Sequence, residues 1–235
     1  MSTITYRPYE PRDAEGVLAI INDAFHIHRY APRPYLERSA ADVFLADCLL
    51  SSSYAQVAVA NDDSASDDAG KIMGVLMGRV EGESKLPGQP AAYTKKAASL
   101  AWLATAGIPQ WNTLRQALDL KHRYPELRQD VLGTGAAALT DEVTVFAVHA
   151  ACRGHGVGSR LYDDFMEHLR DHGRTDFFLY TDSLCNYEFY EDRGMVRAAA
   201  REQRLEVPGL PERVGVYLYA GQVPADAAAS TDFSA

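Results

Sequence analysis

The feature that most constrains this chain is Arg153-Gly-His-Gly-Val-Gly158, a glycine-rich turn between a strand and a helix. Val143 to His149, just before it, is largely apolar on both faces, as a central strand should be. After it, Val157, Leu161, Phe165 and Leu169 recur at helical spacing. A strand, a glycine turn and a helix in that order make an anion cradle. Glycines let the backbone approach a ligand, and the helix N-terminus contributes about half a positive charge. The expected ligand therefore carries phosphate, and the cradle alone leaves open which phosphate compound it is. A P-loop needs lysine and then Ser or Thr after its last glycine, whereas Gly158 is followed by Ser159 and Arg160. A dinucleotide fold opens a βαβ unit with GxGxxG, whereas this run is GxGxG and stands late in the chain. The remaining reading, a tight turn with no ligand, must offset the conformational entropy that glycines lose on folding.

The 235 residues exceed a typical domain of ~150, which points to one domain, 1–220, carrying an insertion. Ile4 to Tyr6 reads as a strand. Asp13 is placed to cap a helix bearing Val17, Ile20, Ile21, Ala24 and Phe25. A second helix is expected from near Ser39, where Ser39 and Asp42 have capping-box spacing. Strands follow at Tyr54 to Ala60 and Lys71 to Val80. The aspartate-rich stretch 61–70 between them lacks the glycine and distal glutamate of an EF-hand loop and reads as a solvated hairpin loop. Residues 81–140 read as a helical insertion between the third and fourth strands. Its helices are expected at Ala91 to Ala106, from Trp111 to about His122, and from Pro125 to near Gly133. Trp102, Trp111 and Tyr124 either line a pocket or pack the insertion onto the sheet. Asp176 to Thr181 is a further strand, Asn186 to Asp192 a short helix stopped by Gly194, and Val196 to Val207 and Val214 to Tyr219 two closing strands. Residues 221–235, rich in alanine and small polar residues, read as a frayed, disordered tail.

Composition narrows the function classes. A formal charge of -9 argues against a nucleic-acid partner and would attract cationic ones such as amines or basic peptides. No apolar run is long enough to span a membrane, and Met1 to Glu10 has no secretory pattern. Cys48, Cys152 and Cys185 form no CxxC pair, so neither a zinc site nor a disulfide framework is indicated, and a reducing cytoplasm is the expected location. His168 and His172 stand four apart on the helix after the turn. The sequence is not HExxH, so they read as a solvated helix face and no metal is expected.

Two segments together resemble the GNAT N-acetyltransferases. Arg153-Gly-His-Gly-Val-Gly158 is similar to that family's Arg/Gln-x-x-Gly-x-Gly/Ala signature. Asn186-Tyr-Glu-Phe-Tyr-Glu-Asp-Arg-Gly-Met195 is similar to its Asn-x-x-Phe-Tyr-Glu-x-x-Gly-Phe segment, with Met195 in place of the aromatic. The opening Ile4 to Phe25 also resembles the family's first strand and helix. The resemblance implies an α/β (α+β) fold with a mixed, splayed β-sheet flanked by helices. It also implies acetyl-CoA as cosubstrate and acetyl transfer to a primary amine of a small molecule or a peptide.

In that scheme the pyrophosphate sits on Arg153, Gly154, His155, Gly156, Val157, Gly158 and Ser159. The pantetheine arm runs beside Phe146, Ala147 and Val148, and Asn186 hydrogen-bonds it. Tyr190 falls on the family's usual acid for the leaving thiolate. Glu142 is the first candidate for general base: it lies six residues before Val148, the distance found in the family's histone-acetylating members, and strand alternation puts it on the face of Phe146 and Val148. His26, His28 and Asp182 are candidate acceptor contacts. Cys152 and Cys185 flank the expected cleft as small buried side chains. The family is often dimeric, and no feature of this sequence specifies an interface. A noncatalytic acyl-CoA-binding module on the same fold is the alternative, since it keeps the cradle without needing Glu142 or Tyr190.

Overall fold

A computed structural model describes residues 3–61, 70–135 and 139–225. The expected hairpin loop at 61–70 lies almost wholly outside these residues. Seven strands form one sheet in the order β1-β2-β3-β4-β5-β7-β6. They are β1 (Ile4–Pro8), β2 (Tyr54–Ala60), β3 (Ile72–Arg79), β4 (Glu142–Val148), β5 (Asp176–Asp182), β6 (Val196–Arg204) and β7 (Arg213–Gln222). Every pairing is antiparallel except β4 with β5, so the sheet is mixed. β7 runs two residues into the expected tail: Gly221 and Gln222 pair with Phe177 and Asp176. β6 is an edge strand, and Arg197, Arg201 and Arg204 spaced along it disfavour edge-to-edge association.

Helices cover both faces. On one side α1 (Ala14–Ala24) and α3 (Pro34–Ser51) pack Val17, Ile21 and Leu45 against Val57, Val75 and Val145. The short α2 (Ile27–Tyr30), not anticipated from the sequence, joins them. On the other side α6 (Val157–Asp171) buries Leu161, Phe165 and Leu169 against Leu76, Val143 and Leu179. The small α7 (Glu188–Glu191) follows β5.

The insertion is α4 (Gln89–Ala106) and α5 (Trp111–Gly133). α4 lies along α3, and α5 covers β5, β7 and β6 on the α1/α3 side. α5 continues through Pro125, where a new helix was expected to begin. An interior proline costs about 3 kcal/mol. Leu120, Leu127 and Val131, on both sides of it, are buried against Phe178, Val216 and Leu218. At about 2 kcal/mol each, that burial outweighs the break. Trp102 and Trp111 are each 50% exposed and join no buried cluster. Tyr124 does pack on the sheet, stacked on Tyr180 at 4.9 Å.

Two helix starts differ from expectation. Asp13 does not cap α1: its carboxylate accepts two bonds from the Arg7 guanidinium at 2.7 Å and one from the Glu10 N–H at 2.8 Å. A bidentate arginine is the stronger partner, so the side chain turns back toward β1. α3 begins at Pro34, whose fixed φ suits the first turn of a helix. Ser39 is therefore interior and donates to the Tyr35 carbonyl at 3.3 Å, and Asp42 is buried beside Arg38 and Lys95.

One irregularity matters for the site. Met77 pairs with Val145 but Gly78 pairs with Val143, so Thr144 is an extra residue in β4. A bulge of this kind reverses the alternation of side chains beyond it. Phe146 and Val148 face α6, where they lie against Gly158, and Val143 joins the same cluster. Glu142 therefore points to the opposite face, toward Arg79 at 2.9 Å. The expectation that Glu142 shares the face of Phe146 and Val148 is corrected by this bulge.

Candidate active site

β4 and β5 pair only through Glu142↔Phe178 and Val143↔Leu179. Beyond these residues the parallel strands separate, and Thr144 to Val148 face an open cleft of about 780 Å³. Its floor is β4 and its far wall is Leu179 to Thr181. One end is closed by Phe25 and His26, after α1, and the other by the turn at Arg153 to Ser159.

The turn is built as an anion cradle requires. Gly154 and Gly156 have φ +75° and +81°, which glycine adopts without strain. Gly158 has another reason to be glycine: a Cβ there would stand 3.2 Å from Val148 and 3.3 Å from Phe146, so α6 sits close on β4. The first amides of α6 have no intrahelical acceptor and are available to an anion. Arg193 adds a fixed cation beside them. Its guanidinium donates to Ser159 Oγ at 2.8 Å and lies 3.6 Å over the Phe189 ring. Arg153 Nε reaches the Val148 carbonyl at 3.4 Å, and His155 Nδ1 contacts the Arg153 carbonyl at 2.9 Å. The unpaired strand edge, the left-handed glycines and the helix N-terminus together fit an extended ligand that ends in phosphate.

The other expected residues divide between the two faces of the sheet. Asn186 is exposed on the cleft wall, and Tyr190 lines the cleft from the α6 face beside Phe146 and Phe189. Burial, with Cys185 and Tyr162 nearby, pushes the Tyr190 phenol far above its ordinary value. The opposite face gathers Glu142, Tyr180 and Asp182. Burial raises the Glu142 carboxyl, with Arg79, Arg128 and Lys85 opposing. Burial also raises Asp182, against the Leu184 N–H donated to it at 2.8 Å and a hydrogen bond with Cys185. Asp182 lies behind the cleft wall, and its charge is felt by Tyr30 and Tyr124. His26, at φ +54°, reaches the cleft rim, whereas His28 packs against His26 and does not line the cleft.

Residues 100–195 match the model of the acetyltransferase (GNAT) family. The match runs from α4 through β4, the turn, α6, β5 and α7 to Met195. Residues 100–195 thus resemble a GNAT-family domain. Solved structures with this fold include one described as SsHAT, at 19% identity and TM-score 0.56, covering 95% of this chain and all of that one. A mosquito arylalkylamine N-acetyltransferase-like protein aligns at 20% identity and TM-score 0.53, over 94% of this chain and all of its own. The Escherichia coli ribosomal-protein-S18-alanine N-acetyltransferase aligns at 12% and 0.52, over 99% of this chain and all of its own. No curated protein matches the chain.

Within this GNAT fold, sequence reasoning passed over Arg193 although it stands inside the quoted Asn186 to Met195 segment. The spacing of an arginine after a short helix does not reveal that it folds back onto the cradle. It also passed over Tyr30, the last residue of α2, which the fold brings near Asp182.

Proposed function

We propose that this protein is an acetyl-CoA-dependent N-acetyltransferase acting on a primary amine of a small molecule or a peptide. The observation that carries the reading is the separation of β4 from β5, opening directly onto the N-terminus of α6. Phe146, Ala147 and Val148 offer backbone groups to a pantetheine arm as a neighbouring strand would, and Asn186 reaches the same arm. Arg153 to Ser159 receive the pyrophosphate on their amides, with Arg193 supplying countercharge.

The bulge at Thr144 supports a division of labour across the sheet. Glu142 stands on the face opposite the cradle, paired with Arg79 and next to the cleft-lining Val143. It takes a proton from the acceptor's ammonium, directly or through water, leaving the neutral amine that attacks the thioester, and burial strengthens it as a base. His26, at the cleft rim, orients the cationic acceptor with His28 supporting it, and Asp182 adds negative potential from behind the wall. On the cradle face Tyr190 holds its proton and donates it to the departing sulfur. The new N–C bond forms as the C–S bond breaks. The nitrogen gives up a second proton to solvent as the amide forms, the phenol's proton goes to the thiolate, and solvent then takes the proton from Glu142 and returns one to Tyr190.

The test is thiol release from acetyl-CoA with a panel of amines, beside calorimetric titration of CoA. The expected result is CoA binding with release dependent on at least one amine. Binding without release from any amine would favour the noncatalytic module, and absence of CoA binding would overturn both readings.

A further inference from the structure

The β3–α4 connection and the C-terminal end of α6 meet in a cluster that the acetyl-transfer reading does not use. Glu83 Oε1 stands 2.8 Å from His168 Nε2 and 2.8 Å from His172 Nε2. The ligand atoms of all three residues lie within 4.8 Å of one another. His168 is about eleven residues into α6 from the cradle, or roughly 16 Å along the helix at 1.5 Å per residue. The cluster is thus remote from the cleft.

Three features mark it as more than a solvated helix face. The first is the tautomer of His172. Its Nδ1 lies 2.8 Å from the His168 backbone carbonyl, which can only accept, so Nδ1 carries the proton. In the neutral ring Nε2 then presents a lone pair to the Glu83 carboxylate. Either a proton on Nε2 or a metal ion must then lie between these two atoms. An imidazole fixed through its other nitrogen by a carbonyl is also the usual arrangement of a metal-ligating histidine.

The second feature is His168 Nε2. It is buried and makes no hydrogen bond, although it lies within ion-pair distance of Glu83. Ligands of one metal ion point at the ion rather than at each other, and this produces such a short but misaligned contact.

The third is rigidity. Glu81 N–H donates to Asp141 Oδ1 at 2.7 Å, the Arg174 guanidinium donates to the Glu81 carbonyl, and Glu83 N–H donates to the Val80 carbonyl at 3.2 Å. Tyr54 packs on the His168 ring at 4.6 Å. Both sides of the cluster are held before any ion arrives, as an affine site requires.

We propose that Glu83, His168 and His172 form a binding site for a divalent transition-metal ion of the zinc(II) class. Two imidazoles and one carboxylate suit that class rather than magnesium or calcium, and they leave a position open to solvent. The ion would clamp the loop that leads into the helical insertion onto the end of α6. The predicted role is a structural staple.

The experiment uses untagged full-length protein stripped with a chelator and then titrated with zinc chloride and with cobalt(II). The parent should bind one zinc per chain, show the visible absorption of cobalt held by nitrogen and oxygen ligands, and melt at a temperature that rises with zinc. Glu83→Gln, which keeps the side chain's size, and His172→Ala, at a partly exposed position, should each weaken binding at least about tenfold, the lower range for losing even an outer-shell partner. Folding of the variants is checked by circular dichroism, and CoA binding should be unchanged. Absence of a one-to-one complex in the parent would overturn the proposal and leave the cluster bridged by a proton. Equal zinc affinity in parent and variants would also overturn it, placing the ion on other histidines among the seven in the chain.

Discussion

Gly156 and Gly158 are indistinguishable as letters in a motif, yet the structure gives them different duties. Gly156 has φ +81° and nothing within 4 Å of the position a Cβ would take. Alanine there meets no neighbour, so its whole cost is backbone strain, about 1–2 kcal/mol for an L-residue in the left-handed region. In a chain of this size that lowers the thermal midpoint by about 2–8 °C. If the turn instead relaxes to negative φ, its amides rotate away from the cradle. In that second case the strain is met on binding instead, and Gly156→Ala should weaken CoA binding, by about tenfold where the strain reaches 1.4 kcal/mol. Gly158 lies in helical backbone, where alanine is favoured over glycine by about 1 kcal/mol. Its Cβ would press on Val148 at 3.2 Å and Phe146 at 3.3 Å, which must yield by a few tenths of an ångström. The two effects oppose, and Gly158→Ala should keep its midpoint within about 4 °C of the parent. Differential scanning calorimetry and CoA titration of both variants decide the matter. Unchanged melting and unchanged CoA affinity in Gly156→Ala would refute the reasoning, as would collapse of Gly158→Ala.

Glu142→Gln should lower turnover about 100-fold near neutral pH with acetyl-CoA affinity intact, and the deficit should shrink at high pH where the amine is already neutral; equal turnover near pH 7 would return Glu142 to a structural role. Tyr190→Phe should cost about 10- to 100-fold in turnover with little change in melting, because the ring packing is retained and only the proton donor is lost; full activity would mean the thiolate leaves unaided. Asp13→Asn should cost about 1–3 kcal/mol at neutral pH by leaving Arg7 without its charged partner. Burial alone would raise the Asp13 carboxyl, but Arg7 and the Glu10 N–H outweigh it and hold it below its ordinary value. Its stabilisation is therefore present above the ordinary carboxylate range and lost as pH falls through the lowered value, and denaturant melts across that acid range should flatten in the variant. Leu127→Ala should cost about 2–5 kcal/mol, since this fully buried side chain ties α5 to the sheet; a midpoint shift below 2 °C would mean that the insertion is an appendage.

The sequence by itself determined what depends on local spacing. Strand β4, the glycine turn and helix α6 are legible because apolar periodicity changes there from continuous to helical with glycines between. The cradle follows from backbone geometry that needs no distant partner. The strand at Tyr54 to Ala60 was legible for the same local reason. What lay beyond the sequence depends on contacts between residues far apart. Pro125 reads as a helix start until the burial of Leu120 and Leu127 against the sheet outweighs its break. Asp13 reads as a cap until Arg7 claims it. Glu142 reads as a neighbour of Phe146 until the register with β3 inserts Thr144 and turns it to the other face. His168 and His172 read as a solvated pair until the loop after β3 brings Glu83 between them. In each case the sequence states which partners a residue can accept, and only the folded sheet settles which of those partners arrives.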